Sequence, residues 1–424
     1  MNSSTPNGST PYSSTQNRNA HRLVRSFALQ VSFLAFASAA LAQAPAAAPA
    51  AAKSGATAAE VRFYPAGGIH PHEIEARRGY SGLLLQNGAI VNRGAGELIL
   101  ESARLEVLAA GRVLSSVEFG APELDKAAQK GARLEAGGML QALSFQFRPE
   151  ILLGKDAKLA AAPRLAPGEG LLLGHQYVAY KGAADHLRLR FFGRDAAGKS
   201  VEQAGELAIL TAPSAVVYRF PLAGRYFIGA GATPHSHHRW VAAEEFALDI
   251  AQLGEGMRSF RGDGAKRQDY YAYGAAVLAA ADGTVVRVAD GLAETDELLR
   301  QPGESFEAYN ERLAAMQAGL MQQGLETIPG NLVVIDHGNG EFSHYAHLAT
   351  GSAKVKVGDR VKQGQTIALL GTSGNSTEPH LHFQLTDGPD PLFSAGRPCR
   401  FEGIELPWAD GDRQLQTGDV VVTK

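Results

Sequence analysis

Short runs of alternating apolar and polar residues, separated by Gly, Asn, Pro and Asp, recur along this 424-residue chain. Such runs predict β-strands joined by tight turns and argue against a helical bundle. Over residues 60–212 we expect a β-sandwich domain, immunoglobulin-like, with a helix inserted at 123–138. Its predicted strands are 82–91, 98–108, 140–147, 170–179 and 186–192. His70 and His72 lack a partner motif in this region and are interpreted as surface-loop residues.

The second half of the chain, residues 218–424, is also rich in predicted strands, and turn signals such as Asp282-Gly283 separate them. We expect an antiparallel β domain. The segment 291–329 differs, because its Leu, Met and Ala spacing is helical. We hypothesise that this helical insertion covers a cleft and restricts access to it. The predicted strands are 245–250, 276–280, 283–288, 331–336, 341–348, 366–371 and 380–385.

The net charge and the cysteine content exclude several classes of function and of metal site. Forty basic against 43 acidic residues give a net charge of -3, which argues against a dedicated nucleic-acid binder. The single cysteine, Cys399, excludes an intramolecular disulfide and a Cys-ligated zinc site. A metal site would therefore use carboxylates and some of the 13 histidines.

The first residues resemble an export signal. Arg22 and Arg25 precede an apolar run that ends in the small residues Ala40-Leu41-Ala42, a pattern typical of a cleaved signal peptide. We predict a signal peptide over residues 1–42 and a Pro/Ala-rich linker over 43–59. The mature protein would then be periplasmic or secreted, with no stable membrane span. An uncleaved anchor is the alternative, although the run is short for crossing a bilayer.

Three predicted strands carry acid or imidazole groups opposite an apolar face. The two-residue period puts His380 and His382 on one face, and Asp249 likewise faces away from its apolar neighbours. In 342–348 the same period puts Ser343, Tyr345 and His347 opposite the predicted core face, which would hold Phe342, His344, Ala346 and Leu348. His344 is accordingly interpreted as a buried structural histidine.

This combination of side chains predicts a metal site. Zinc sites that keep an open position are built from His and carboxylate ligands. Such a site lowers the pKa of water for attack on a carbonyl, while a nearby imidazole transfers protons. Spacing alone leaves open which histidines bind the metal and which transfer protons.

An ordered set of motifs resembles the lysostaphin/LytM-type family of zinc metallopeptidases, which cleave peptide cross-links in peptidoglycan. The likeness spans about residues 230–393, less than half of the chain. The motifs are 282–286 (DGTVV), 330–338 (GNLVVIDHG), 345–348 (YAHL), 357–365 (VGDRVKQGQ), 371–376 (GTSGNS) and 378–383 (EPHLHF).

The resemblance implies one zinc ion bound by Asp249 and His382, with His347 and His380 orienting water, transferring protons or stabilising an oxyanion. The family's usual His-x-x-x-Asp pattern would place the first ligand at position 245, where this chain has Glu245. We predict His238 as that ligand, with His237 and Glu245 as the alternatives.

Three functions are consistent with these features. The first is an exported zinc endopeptidase that hydrolyses peptide bonds of peptidoglycan through a metal-activated water. The second is a catalytically inactive LytM-type regulator that activates another cell-wall hydrolase. The third is a wall- or glycan-binding protein whose main functional part is the β-sandwich.

Overall fold

The computed structural model describes residues 59–409 and 413–423. The predicted signal peptide (1–42) and all but the last residue of the predicted linker lie outside the described residues. The chain is mainly β, as expected. Among the described helices, none combines the length and apolar character needed to cross a membrane.

Two antiparallel-rich sheets form the N-terminal region. One has the order β1-β3-β8-β6, with β2 paired to β3; the other has the order β10-β9-β4-β5, with β7 paired to β4. The described strands are β1 (Ala59–Tyr64), β2 (His72–Glu75), β3 (Tyr80–Asn92), β4 (Leu98–Ala109), β5 (Arg112–Phe119), β6 (Lys158–Leu159), β7 (Arg164–Leu165), β8 (Glu169–Lys181), β9 (His186–Asp195) and β10 (Ser200–Ala208).

The two sheets share one apolar core. Leu83 and Leu171 from the first sheet are buried in the same cluster as Leu105 and Phe191 from the second. Alternate residues of these strands face the core because side chains on a strand point to opposite faces in turn. The sheets therefore pack face to face, which is the arrangement of a β-sandwich.

Helix α1 (Ala121–Ala136) closes one side of this core. Its buried residues Leu124, Ala128 and Gly131 recur at helical spacing. Gly131 is small enough for Leu159 to approach closely, since a Cβ there would lie 3.1 Å from a Leu159 methyl group. The helix lies within two residues of its predicted limits.

The prediction of a strand over 140–147 is wrong. These residues form two short helices, α2 (Met139–Ala142) and α3 (Ser144–Phe147), followed by α4 (Pro149–Leu152). Leu140, Leu143 and Phe147 are buried, and their spacing of three and four residues fits a helix. The apolar residues of this short run fit both the two-residue period of a strand and the three-to-four-residue spacing of a helix. Contacts with the C-terminal region favour the helix.

The C-terminal region is built on a large sheet with the order β18-β15-β16-β17-β20-β13-β12-β24-β23, to which β21 adds beside β20. The described strands of the whole C-terminal region are β11 (Tyr218–Arg219), β12 (Arg225–Ala230), β13 (Leu248–Ala251), β14 (Ala276–Leu278), β15 (Gly283–Ala289), β16 (Asn331–Asp336), β17 (Phe342–Leu348), β18 (Arg360–Val361), β19 (Thr366–Leu369), β20 (Leu381–Thr386), β21 (Gly396–Arg397), β22 (Phe401–Glu402), β23 (Ile404–Glu405) and β24 (Val420–Thr423). Of these, β11 pairs with β22 and β14 pairs with β19 in two separate small sheets.

One face of this sheet covers the main core, and the other face carries the polar residues. Leu248, Leu381 and Phe383 are buried in the core cluster. Asp249 and His382 alternate with them and therefore point to the opposite face. Both faces of these strands are covered, so the polar residues are themselves largely buried.

The predicted orientation of β17 is wrong for residues 342–346, whereas Leu348 lies in the core as expected. Tyr345 pairs with Phe383 and lies in the core, whereas Ala346 pairs with His382. Ala346 therefore shares the polar face, and His344, which pairs with Gln384, lies on it too. Phe342 and Ala346 pack in a separate small apolar cluster, so two apolar faces were open to β17 and the sequence pattern selected the wrong one.

The segment 291–329 contains α5 (Phe306–Gln323) between β15 and β16. The Ser305 hydroxyl caps the helix by accepting from the Ala308 amide at 3.1 Å. Tyr309 and Leu313 pack against Leu298 of the same segment. The insertion thus has a small apolar cluster of its own.

A buried polar contact joins the two regions. His72 Nε2 lies 2.9 Å from Glu245 Oε1, and the Gln86 amide donates to Glu245 Oε2 at 2.8 Å. His72 is fully buried and stacks on Phe246 with ring centroids 4.6 Å apart. The interpretation of His72 as a surface residue is therefore wrong, because its partner comes from the distant C-terminal region.

Candidate metal centre

Asp249 lies at the centre of a group of imidazoles. On one side, its Oδ1 is 3.1 Å from His382 Nδ1 and 3.3 Å from His380 Nε2. On the other side, its Oδ2 is 3.3 Å from His238 Nε2 and 3.4 Å from His237 Nε2. Strand pairing explains the contact between Asp249 and His382, because the two residues are direct partners on neighbouring strands.

Backbone carbonyls fix the orientation of three imidazoles. Nδ1 of His238 is 3.2 Å from the Ala247 oxygen, Nδ1 of His380 is 2.7 Å from the Glu378 oxygen, and Nδ1 of His347 is 2.8 Å from the Ser373 oxygen. A carbonyl oxygen only accepts, so each Nδ1 donates. In the neutral ring, Nε2 then carries a lone pair that is available to a metal or a proton.

His237 and His238 belong to a single 3-10 turn, His237–Trp240, that begins at Ser236. The His238 amide donates to the Ser236 hydroxyl at 3.3 Å, which orders the start of the turn. The His238 side chain is 3% exposed, whereas that of His237 is 25% exposed. Among the described residues, a backbone carbonyl oxygen orients the ring of His238, and none does so for His237.

His347 reaches the site through an irregular backbone. Its φ of 59° lies in the left-handed region, and the pairing of β16 with β17 shifts register beside it. The irregularity turns His347 toward the polar face that Ala346 already occupies. Its ring centroid lies 4.9 Å from that of His380 and 5.8 Å from that of His382.

The carboxylate and the imidazoles shift one another's pKa. Burial disfavours the charged carboxylate, but His238 and His380 hold the pKa of Asp249 well below its ordinary value. Burial likewise opposes protonation of His382, but Asp249 raises its pKa to about 9. Burial and the neighbouring His380 hold the pKa of His347 well below its usual range. The site thus contains one strongly acidic carboxyl and imidazoles of contrasting basicity.

The donor set fits a zinc ion. Two imidazoles and one carboxylate, with a fourth position open, are a common catalytic zinc set. In a tetrahedral site with metal–ligand distances of about 2.0–2.1 Å, neighbouring ligand atoms are about 3.3 Å apart. The His382 Nδ1–Asp249 Oδ1 distance of 3.1 Å and the His238 Nε2–Asp249 Oδ2 distance of 3.3 Å are close to that edge length, one at each carboxylate oxygen. His238, Asp249 and His382 could therefore hold the ion.

Glu245, the alternative at the first ligand position, points elsewhere. Its two carboxylate oxygens contact His72 and Gln86 at the boundary with the N-terminal region. His237, the other alternative, also reaches the site: ligand atoms of His237, His238 and Asp249 lie within 4.8 Å of one another, a group that does not include His382.

A cavity surrounds this cluster, and other parts of the chain form its remaining walls. Phe145 and Gln146 of α3 line it from the N-terminal region, and Gln317 and Ile328 line it from the 291–329 segment. The Gln317 amide also donates to Asn375 Oδ1 at 2.9 Å across the cavity wall. The helical insertion therefore lines the cleft, together with a second element that the sequence did not indicate. That the insertion restricts access stays a prediction.

Other residues near the site have structural contacts. The Tyr345 hydroxyl accepts from the Ala280 amide at 2.7 Å within the core. His344 is buried beside Thr386, with Nε2 2.7 Å from its hydroxyl oxygen, and burial lowers the pKa of His344 to about 3. His344 also lines the cavity, which is a consequence of the corrected orientation of β17.

The fold and this side-chain group together define a β-rich protein with a candidate His/Asp metal centre. Residues 300–393 match the family described as Peptidase family M23. Over these residues, which are less than a quarter of the chain, the protein is similar to that peptidase family.

Relatives in this group include both enzymes and a regulator. The chain is 40% identical over 80 residues to a peptidoglycan DD-endopeptidase, ShyA, of Vibrio cholerae, covering 19% of this chain and 16% of that protein. It is 45% identical over 56 residues to the murein hydrolase activator EnvC of Escherichia coli, covering 13% of each. The chain thus spans less than a fifth of each of these relatives.

The chain is also similar to two solved structures of peptidases. The catalytic domain of lysostaphin from Staphylococcus simulans matches 43% of this chain and 88% of its own length, at 20% identity and a TM-score of 0.21. A zinc-containing peptidase from Vibrio cholerae matches 75% of this chain and 80% of its own, at 15% identity and a TM-score of 0.21.

Proposed function

We propose that this protein is a zinc-dependent endopeptidase that hydrolyses peptide bonds in the stems or cross-links of peptidoglycan. The observation that carries the proposal is the convergence of four imidazoles on the two oxygens of Asp249. The peptidase family of residues 300–393 and the peptidoglycan enzymes among the relatives support the same activity and substrate.

In this proposal His238, Asp249 and His382 hold one zinc ion. Zinc, when bound, supplies Lewis acidity that polarises a carbonyl and lowers the pKa of water. His238 offers Nε2 and His382 offers Nδ1, because hydrogen bonds occupy their other ring nitrogens. Burial of all three side chains keeps competing water away from the ligand atoms.

His347 and His380 act as the proton-transfer residues. Each donates from Nδ1 to a backbone carbonyl and keeps Nε2 for the reaction. Since their rings are 4.9 Å apart, one can accept a proton from water while the other donates to the leaving amine or to the developing oxyanion.

The alternative is a regulator that activates another cell-wall hydrolase. The similarity to EnvC, an activator, favours it. The complete set of ligands and proton-transfer candidates favours the enzyme, because a regulator that only binds a partner has no need of an ordered zinc site.

The proposed cellular setting follows from the first residues of the sequence. We propose that residues 1–42 direct export and that the mature protein acts in the bacterial envelope, on peptidoglycan. The boundaries of the β-sandwich (60–212) and the peptidase domain (218–424) belong to the same proposal.

Digestion of purified peptidoglycan tests the enzyme directly. Zinc-loaded protein should release fragments with new peptide termini, which mass spectrometry would identify, and His382→Ala should release none. Intact peptidoglycan after incubation with a folded, zinc-loaded protein would argue for the regulator. Its partner would then be sought by adding candidate hydrolases to the same assay.

A further inference from the structure

Gln384 makes two hydrogen bonds beside the candidate metal centre. It lies two residues after His382 on β20 and is 2% exposed. Its Oε1 is 2.8 Å from His382 Nε2, and its Nε2 donates to the Pro391 carbonyl oxygen at 2.8 Å. Only the NH₂ end of the amide can donate to a carbonyl, so Oε1 must be the atom that faces His382.

This orientation determines where His382 carries its proton. An amide oxygen only accepts, so His382 Nε2 must donate. An imidazole that binds a metal is neutral and has one N–H, so in the zinc-bound protein that N–H lies at Nε2 and the lone pair at Nδ1. That nitrogen is the one facing Asp249 Oδ1 at 3.1 Å. Without the Gln384 oxygen, either ring nitrogen could carry the proton and the ring could turn.

We propose that Gln384 is a positioning residue that holds His382 in the Nδ1-ligating tautomer and ties it to the loop at Pro391. The inference rests on the proposed metal site and adds to it a residue that never touches the ion. Hydrogen-bond partners of this kind fix the orientation of a ligating histidine and contribute to metal affinity.

The Pro391 loop is in turn held by the N-terminal region. Leu392 is buried in a cluster with Phe145. The Phe393 carbonyl accepts from the Tyr64 hydroxyl at 3.1 Å, and the Arg148 guanidinium lies 5.0 Å from the Phe393 ring centre. Gln384 therefore connects a metal ligand to the surface on which the N-terminal region packs, so docking of that region is coupled to metal affinity.

Two substitutions separate the functions of the amide. Gln384→Leu removes both hydrogen bonds, whereas Gln384→Glu keeps an acceptor for His382 and loses the donor to Pro391. Zinc affinity of the metal-free proteins would be measured by competition with a chromophoric chelator. We expect Gln384→Leu to bind zinc about 10- to 100-fold more weakly, and Gln384→Glu to stay within about threefold of the wild-type affinity.

Thr386→Val is the matched control, because Thr386 is fully buried on the same face of β20 and lacks contact with His382. It should leave zinc affinity unchanged. Thermal unfolding of the metal-free proteins would verify that each variant is folded. Wild-type zinc affinity in folded Gln384→Leu would overturn the inference, whereas absence of zinc binding by the wild-type protein would instead overturn the proposed metal site.

The coupling has its own test in the same assay. Tyr64→Phe removes the hydroxyl that holds the Phe393 carbonyl and should weaken zinc binding about twofold, no more than the loss expected for Gln384→Glu. The same substitution should have no effect in the Gln384→Glu background, where the bond to Pro391 is already absent. An equal loss in both backgrounds would show that the N-terminal region does not act through Gln384.

Discussion

Asp249 and His382 are direct partners on neighbouring antiparallel strands, and the Oδ1 and Nδ1 atoms of their side chains are 3.1 Å apart. The strand register alone brings the carboxylate and the imidazole together on the face opposite the core. The other imidazoles come from a 3-10 turn, from an irregular strand end and from the residue before β20. The sheet thus provides a rigid pair, and less regular segments complete the group.

His238 should be the first metal ligand. His238→Ala removes a buried imidazole whose Nε2 faces Asp249, and we expect zinc affinity to fall by at least about 100-fold. His237→Ala should cause a much smaller loss, because the His237 side chain is 25% exposed, against 3% for His238. Isothermal titration of the metal-free variants would measure both. A larger loss in His237→Ala would reverse the assignment.

Glu245 should stabilise the fold without binding metal. Glu245→Ala leaves His72 and Gln86 buried without their partner, and we expect unfolding to become easier by about 2 kcal/mol. Urea denaturation would measure this change. A double-mutant cycle with His72→Ala should be strongly non-additive, since both substitutions break the same contact. Loss of zinc from folded Glu245→Ala would contradict this role.

Phe145 should limit access of large substrates to the cleft. Phe145→Asp places a charge in the apolar contact between α3 and the C-terminal region, which should detach the α2–α3 segment. With zinc at saturating concentration, so that weaker zinc binding does not limit the rate, we expect hydrolysis of intact peptidoglycan to rise about fivefold, with little change for a small soluble peptide. Gln141→Asp, on the exposed side of α2, is the control. An unchanged ratio of the two rates would show that this segment does not restrict access.

His344 should make the metal-free protein less stable in acid. Burial lowers the pKa of His344 to about 3, whereas the unfolded chain titrates near its ordinary value of about 6.5. Between these values only the unfolded state binds the proton, so the free energy of unfolding falls as the pH falls. The contribution is about 1.4 kcal/mol per pH unit. His344→Gln should make this dependence shallower in urea denaturation between pH 6 and pH 4, and equal slopes would refute the assignment.

The sequence predicted the parts of the site that depend on regular strands. The two-residue period placed Asp249, His380 and His382 correctly, because Leu248, Leu381 and Phe383 have only one core to face. It failed on β17, where a second apolar cluster and a left-handed residue break the simple alternation. A sequence pattern carries no signal for either feature.

Contacts between distant segments could not be predicted for the same reason. His72 contacts Glu245, which lies 173 residues later in the sequence. Residues 140–147 are helical where they contact the C-terminal region. His238 lies in a short turn that has no hydrophobic periodicity, so its prediction as a metal ligand came from the family resemblance. The two-residue period puts Gln384 on the same face as His382, but only its two hydrogen bonds reveal what it could do there.

Titration of the metal-free protein with zinc, while cross-link hydrolysis in peptidoglycan is followed, tests the central claim most directly. The account predicts that the rate rises with zinc up to one equivalent per chain and then levels off, and that His382→Ala stays inactive throughout. Hydrolysis by His382→Ala at the wild-type rate, or no hydrolysis by a folded wild-type protein that has bound its zinc, would contradict it.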